Sequence, residues 1–255
     1  MTQILHYQQQ GSGADIILIH GLLGSLENLN MVAKGLKDNY RVTSIDVRNH
    51  GLSFHKNSMK YEELAQDIVD LMKTLTIERA HFLGHSMGGK IAMEIALEHS
   101  EKVEKLIVAD IAPVAYPPHH NHIIQGLQSI TLEDVKSRKD ADEQLAHFVD
   151  EVSVRQFLLR NLAVKDGKFT FKCSLNNIQH CYPQIMKEYK GNQHFKGETL
   201  FIKGGNSDYI TAEHRDIIKI LFPNSRAKII QGTGHWLHAE KTTVFNKVTN
   251  DFLQL

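Results

Sequence analysis

The chain has 255 residues, enough for one large domain with a substantial core, or for a core plus a modest insertion. Apolar residues make up 42% and charged ones 23%, and Lys+Arg and Asp+Glu each total 29, so no net field draws in nucleic acid or an anionic membrane. Met1–Gln10 carries no basic, apolar leader and no run approaches the roughly 18 apolar residues of a membrane span, so a cytoplasmic protein with neither nucleic-acid nor membrane partners is expected.

Residues 14–21, ADIILIHG, are apolar, β-branched and closed by glycine, which predicts a buried strand. A helical spacing follows over 28–36, then a second strand over 40–46, YRVTSID. Leu64, Ile68 and Leu71 repeat at helical intervals and predict an amphipathic helix over 61–75. A third strand at 80–86, AHFLGHS, precedes a helix at 90–98, and KVEKLIVAD (102–110) is a fourth strand. Strands alternating with helices predict the α/β class: a parallel sheet with helices on both faces and functional residues at the strands' carboxyl ends.

That rhythm breaks where Pro113, Pro117 and Pro118, three of the five prolines, punctuate the chain. Residues 115–195 read as helical or irregular and are expected to form a mainly helical cap over the sheet's carboxyl edge. The strand and helix patterns resume at 198–205, 212–221, 226–234 and 243–253, so 1–114 and 196–255 make up the core domain.

The chemistry concentrates at the strand ends. GHSMG (84–88) fits the G-x-S-x-G turn between a strand and a helix, a strained bend that lifts the serine hydroxyl to the start of the helix. The alternative is a glycine-rich helix start that binds an anion. A hydroxyl nucleophile needs a base, and GTGHWLH (232–238) supplies His235 just past the last predicted strand, with His238 as its rival. Two backbone donors for a developing oxyanion come from Met87, directly after Ser86, and from Leu22 in HGLLG (20–24), which otherwise reads as a simple strand-to-helix turn.

Other polar features read as structural. Asp46, Arg48, Asn49 and His50 in DVRNHGLS (46–53) suit a loop whose side chains bond neighbouring turns. Cys173, His180, Cys181 and the His119, His120 and His122 cluster lack zinc spacing and read as a solvated surface, so no metal is expected. Phe148, Phe157, Leu158, Leu159 and Leu162 suit either an acyl pocket or the cap's own small core.

HGLLGS, DVRNHGLS, GHSMGGK, DIAP (110–113), GGNSDYI (204–210) and GTGHW together resemble the α/β-hydrolase superfamily, and more narrowly the YbfF-type esterases. The resemblance spans the chain outside the cap. It implies a cofactor-free serine esterase or thioesterase acting on short to medium acyl esters, with acyl-CoA as a further substrate class, in a monomer or weak homodimer. It also implies a substrate-side place for Trp236. In most relatives the third triad member follows the strand after the cap, in a G-x-x-D turn. Counted from Gly204 that slot falls on Ser207, and from Gly205 on Asp208. The YbfF-like pattern instead takes the acid from Asp110 and keeps Ser207 as a fourth member; on that pattern Asp110 is favoured and Asp208 is the alternative. A C–C bond hydrolase or lyase on the same fold, or a non-catalytic ligand receptor, are the competing functions.

Overall fold

The computed structural model describes residues 3–255. In chain order the first part runs β1 (Tyr7–Gln10), β2 (Ala14–Ile19), α1 (Asn30–Leu36), β3 (Tyr40–Ile45), α2 (Tyr61–Thr74), β4 (Ala80–His85), α3 (Met87–Glu98) and β5 (Val103–Ala109). An excursion follows with α4 (Asn121–Gln128), α5 (Arg138–Leu145), α6 (Val152–Leu158), the hairpin β6 (Leu162–Lys165) and β7 (Lys168–Phe171), and α7 (Leu175–Ile185). The chain then completes the sheet with β8 (Thr199–Gly204), α8 (Arg215–Leu221), β9 (Ser225–Ile230), α9 (Leu237–Glu240) and α10 (Thr242–Leu253).

Seven strands form one sheet in the order β1-β3-β2-β4-β5-β8-β9, parallel throughout except for β1, which pairs antiparallel with β3. Side chains alternate across a strand, and here they sort into two cores. Ile17, Ile19, Phe82, Leu106 and Val108 face α2 and α3, where Leu64, Ile68, Ile91 and Ile95 cover them. Ile16, Leu18, Leu83 and Ile107 face α1 and α10, against Val32, Leu36, Phe245 and Phe252. Both faces of β4 are therefore buried along its whole length, which is why it reads as an unbroken apolar run. Among the described residues no helix is long and apolar enough to cross a membrane.

Four differences from the sequence reading have local causes. β1 is YQQQ, a largely exposed edge strand held by main-chain pairing, so it carries no apolar alternation to read. The last strand ends at Ile230, four residues before the expected end. α3 begins at Met87 rather than Lys90, because the glycines after Ser86 are already helical. The excursion is not all helix and coil: Asp166 and Gly167, both with positive φ (52° and 75°), turn β6 back onto β7.

Candidate active site

Ser86 joins β4 to α3 with φ 53° and ψ −120°, a conformation that L-residues rarely adopt. Its backbone is fixed on both sides: Ser86 N–H donates to Ala109 O at 3.0 Å, and Ser86 O accepts from Gly89 N–H at 2.8 Å. The flanking glycines are needed for contact. A Cβ on Gly84 would lie 2.1 Å from Gly88 O, and one on Gly88 would lie 2.2 Å from Ile19 O. Both obstacles are backbone atoms, so neither can rotate away.

Asp110 lies just past β5, fully buried, with φ 53°. Three donors converge on it. Oδ1 accepts from Gly204 N–H at 2.9 Å, and Oδ2 accepts from His235 Nδ1 at 2.8 Å and from the Ser207 hydroxyl in a short bond. A carboxylate at Nδ1 holds that proton there and leaves Nε2 with a free lone pair. Asp208 is exposed and makes no hydrogen bond to the ring. His235 is held from two more sides: its backbone carbonyl accepts from His85 Nε2 at 2.8 Å, and Tyr209 stacks on its ring at 3.9 Å with an 18° interplanar angle. His85 is neutral, its pKa pushed well down by burial and then by the neighbouring His238 and His235. His238 sits buried against His85, its pKa lowered to about 4 by burial and by His235.

Ser86, Leu22 and Met87 line one narrow space with Tyr116, His120 and Tyr209. Its volume is about 20 Å³, room for roughly one water molecule. The Leu22 and Met87 N–H groups have no hydrogen-bond acceptor among the described residues, so both are free to meet an oxygen in that space. No hydrogen bond joins Ser86 Oγ to the His235 ring; such bonds are commonly loose in unliganded sites. The two residues are linked through Tyr209, which lines the Ser86 space and stacks on the imidazole.

Three groups of residues fall elsewhere than expected. Trp236 is half-buried against Phe157 of the excursion, at 5.8 Å between ring centroids, and does not border the Ser86 space. Leu158, Leu159 and Leu162 belong to the main core and Phe148 is 40% exposed; the excursion reaches Ser86 with Ile185 and Met186 instead. Cys173 and Cys181 are not on a solvated surface. Both are buried free thiols, and burial pushes the Cys173 thiol up to about 12. Among the described residues, no three His, Cys, Asp or Glu side chains are placed to share a metal ion.

The loop carrying Leu22 is tied to the 46–53 loop by side chains of both, the kind of bonding between neighbouring turns expected of DVRNHGLS. His50 Nε2 accepts from Leu23 N–H at 3.1 Å and His20 Nε2 accepts from Val47 N–H at 3.1 Å. Both imidazoles must be neutral to accept. Burial and then the His20 ring hold the His50 pKa at about 3, and burial lowers that of His20. Asp46 accepts from Leu26 and Leu52 N–H groups at 2.8 and 2.9 Å, tying the two loops together. On the excursion side, Lys90 donates to the carbonyls of Val114 and Lys187, both at 2.7 Å, and the Tyr61 hydroxyl donates to Ile185 O at 2.7 Å.

Comparison with known proteins agrees with this architecture. The family profile of the alpha/beta hydrolase fold matches residues 16–242. The chain is 37% identical to Esterase YbfF of Escherichia coli over 235 residues, covering 92% of this chain and 91% of that one. It is 36% identical to the sn-1-specific diacylglycerol lipase ABHD11 of Mus musculus over 246 residues, covering 93% of this chain and 80% of that one. Among solved structures, a marine microorganism esterase superposes with a TM-score of 0.95 at 40% identity, covering 98% of this chain and 100% of that one.

Proposed function

The chain belongs to the α/β-hydrolase family and its esterase and lipase relatives make it a hydrolase, and from that premise we propose that it cleaves carboxylic esters through Ser86. The observation that carries the reading is the His235–Asp110 contact at 2.8 Å, on the sheet edge where Ser86 stands on its strained turn. His235 Nε2 takes the Ser86 proton as Oγ attacks the carbonyl carbon. The tetrahedral oxyanion is met by the Leu22 and Met87 N–H groups, each such donor being worth roughly 3 kcal/mol of barrier. His235 then returns the proton to the leaving alcohol. In the second half-reaction it takes a proton from water, which attacks the acyl-enzyme and releases the acid.

Asp110 stabilises the imidazolium formed in each half, and Ser207 shares its carboxylate and holds it in place. The roughly 20 Å³ beside Ser86 favours short acyl groups, because longer ones require larger shifts of Met186, Ile185 and Tyr116. The same chemistry extends to thioesters, whose carbonyl needs no different machinery.

Covalent labelling with a fluorophosphonate probe, beside assays on p-nitrophenyl acetate, p-nitrophenyl butyrate and acetyl-CoA, tests the proposal. Labelling of wild-type protein that disappears in Ser86→Ala, with ester turnover lost in parallel, is expected. Folded wild-type protein that neither labels nor turns over any of the three substrates overturns it.

A further inference from the structure

Tyr61 borders a second concavity besides the Ser86 space, between α2, α3 and the stretch that follows α7. Its volume is about 740 Å³, the size of an ordinary small-molecule site. Glu94 lines this cleft with only 6% exposure, yet its carboxylate has no hydrogen-bond or ion-pair partner among the described residues. Its stem is buried while its oxygens open onto the cleft, so a donor that meets them comes from outside the chain.

The surrounding charges say what kind. Glu62 on α2 and Glu98 on α3 face Glu94, and Glu188 lines the cleft from the opposite wall. Lys60, Lys187 and Lys190 also line it, but they are exposed, pair with none of these acids and are screened by solvent. Lys90, one turn before Glu94, is spent on the Val114 and Lys187 carbonyls, and Tyr189 donates its hydroxyl to Glu98. His99 completes the titratable groups at the rim. The acids thus outnumber the cations at Glu94, where the one buried cation is Lys90, held on its two carbonyls with Nζ 5.6 Å from the Tyr61 ring, while the other three lysines stay outside. Because no three acidic side chains among the described residues are placed to share a metal, a divalent ion is a poor match. We propose that this cleft is a binding site for an organic ammonium ion, with Glu94 as the carboxylate that receives it and the Tyr61 ring as part of the apolar wall.

Burial, followed by the charges of Glu62 and Glu98, raises the Glu94 carboxyl to about 7. A cation favours the ionised form, so binding must release a proton below that pH and weaken about tenfold per further pH unit.

The experiment is calorimetric titration of the full chain with n-butylammonium, beside 1-butanol as the uncharged equivalent and magnesium as the metal control. One-to-one binding of the ammonium at pH 8 is expected, at least about tenfold weaker for butanol and for Glu94→Gln. A second measurement needs no variant: the carboxyl ¹³C titration of Glu94 should move to lower pH when the ammonium is added. No ammonium binding to folded protein, equal binding of butanol, tighter binding of magnesium, unchanged binding by Glu94→Gln, or an unmoved Glu94 titration each overturns the proposal. None of these readouts depends on ester turnover, so the site stands or falls separately from the hydrolase reading.

Discussion

Replacing Asp110 with asparagine tests the proposed mechanism at its most constrained point. Three donors face the wild-type carboxylate: Gly204 N–H at Oδ1, and His235 Nδ1 and the Ser207 hydroxyl at Oδ2. Asparagine offers one oxygen and one NH₂ in the same space. If its oxygen faces His235, the NH₂ points at Gly204 N–H, leaving two buried donors facing one another at a cost of about 1–3 kcal/mol or more. If the amide turns over, its oxygen accepts from Gly204, while its NH₂ donates to His235 Nδ1 and to Ser207, whose hydroxyl can rotate to accept. Every contact is then satisfied, so this orientation wins. It forces the imidazole proton onto Nε2, the atom that must accept the Ser86 proton, and the base is disabled while the fold survives. The expected loss is about 10⁴ in turnover, or about 5.4 kcal/mol of barrier. Asp208→Asn, at an exposed side chain off the ring, should stay within about twofold of wild type. The assay is kcat on p-nitrophenyl butyrate, with circular dichroism and thermal melting to establish folding. A folded Asp110→Asn protein within tenfold of wild type, or an Asp208→Asn protein as damaged as Asp110→Asn, refutes the reasoning.

Three further outcomes follow from contacts in the core. Glu94 carries a folded-state pKa of about 7 against an ordinary 4.5, so its ionisation costs the native state nothing below pH 4.5 and a growing penalty up to pH 7. After allowance for solvent at the cleft, Glu94→Gln should stabilise the protein by about 2 kcal/mol at pH 8 and by little at pH 4.5, measured by urea unfolding at both pH values. Tyr61→Phe removes the hydroxyl that donates to the buried Ile185 carbonyl and should cost about 1–3 kcal/mol in the same assay. Gly88→Ala drives a Cβ to 2.2 Å from Ile19 O, between two backbones that cannot part, and should abolish soluble expression or fluorophosphonate labelling.

Much of the sheet was legible because its strands are buried on both faces. β4 is buried along its whole length and β2 and β5 end in the apolar runs IILI and LIVA, and their predicted ends lie within a residue or two of the observed ones. Elements whose stability comes from elsewhere were not. β1 is polar and exists because β3 offers it a ladder, a fact about its partner rather than about YQQQ. The β6–β7 hairpin did carry a local signal, the Asp166-Gly167 pair, but the surrounding polar residues hid it within a segment read as helix and coil.

The site divides along the same line. Ser86 and the free Met87 amide are consequences of a local turn, and the sequence GHSMG contains all the atoms that turn needs. The setting of His235 does not have that property. Its orientation is determined by Asp110 from β5, His85 from β4 and Tyr209 from the loop after β8, three segments whose meeting depends on strand order. The choice between Asp110 and Asp208 belongs to this second kind. Each follows a strand's carboxyl end, and only the adjacency of β5 and β8 places Gly204 and Ser207 beside one carboxylate while leaving the other in solvent. The excursion is the extreme case: Ile185, Met186 and His120 reach the Ser86 space only because Lys90 and Tyr61 hold the neighbouring carbonyls of Lys187, Val114 and Ile185 against the core. What surrounds the nucleophile is therefore set by two buried donors on core helices, so changes at Lys90 or Tyr61 should alter which esters enter more than how fast a bound ester reacts.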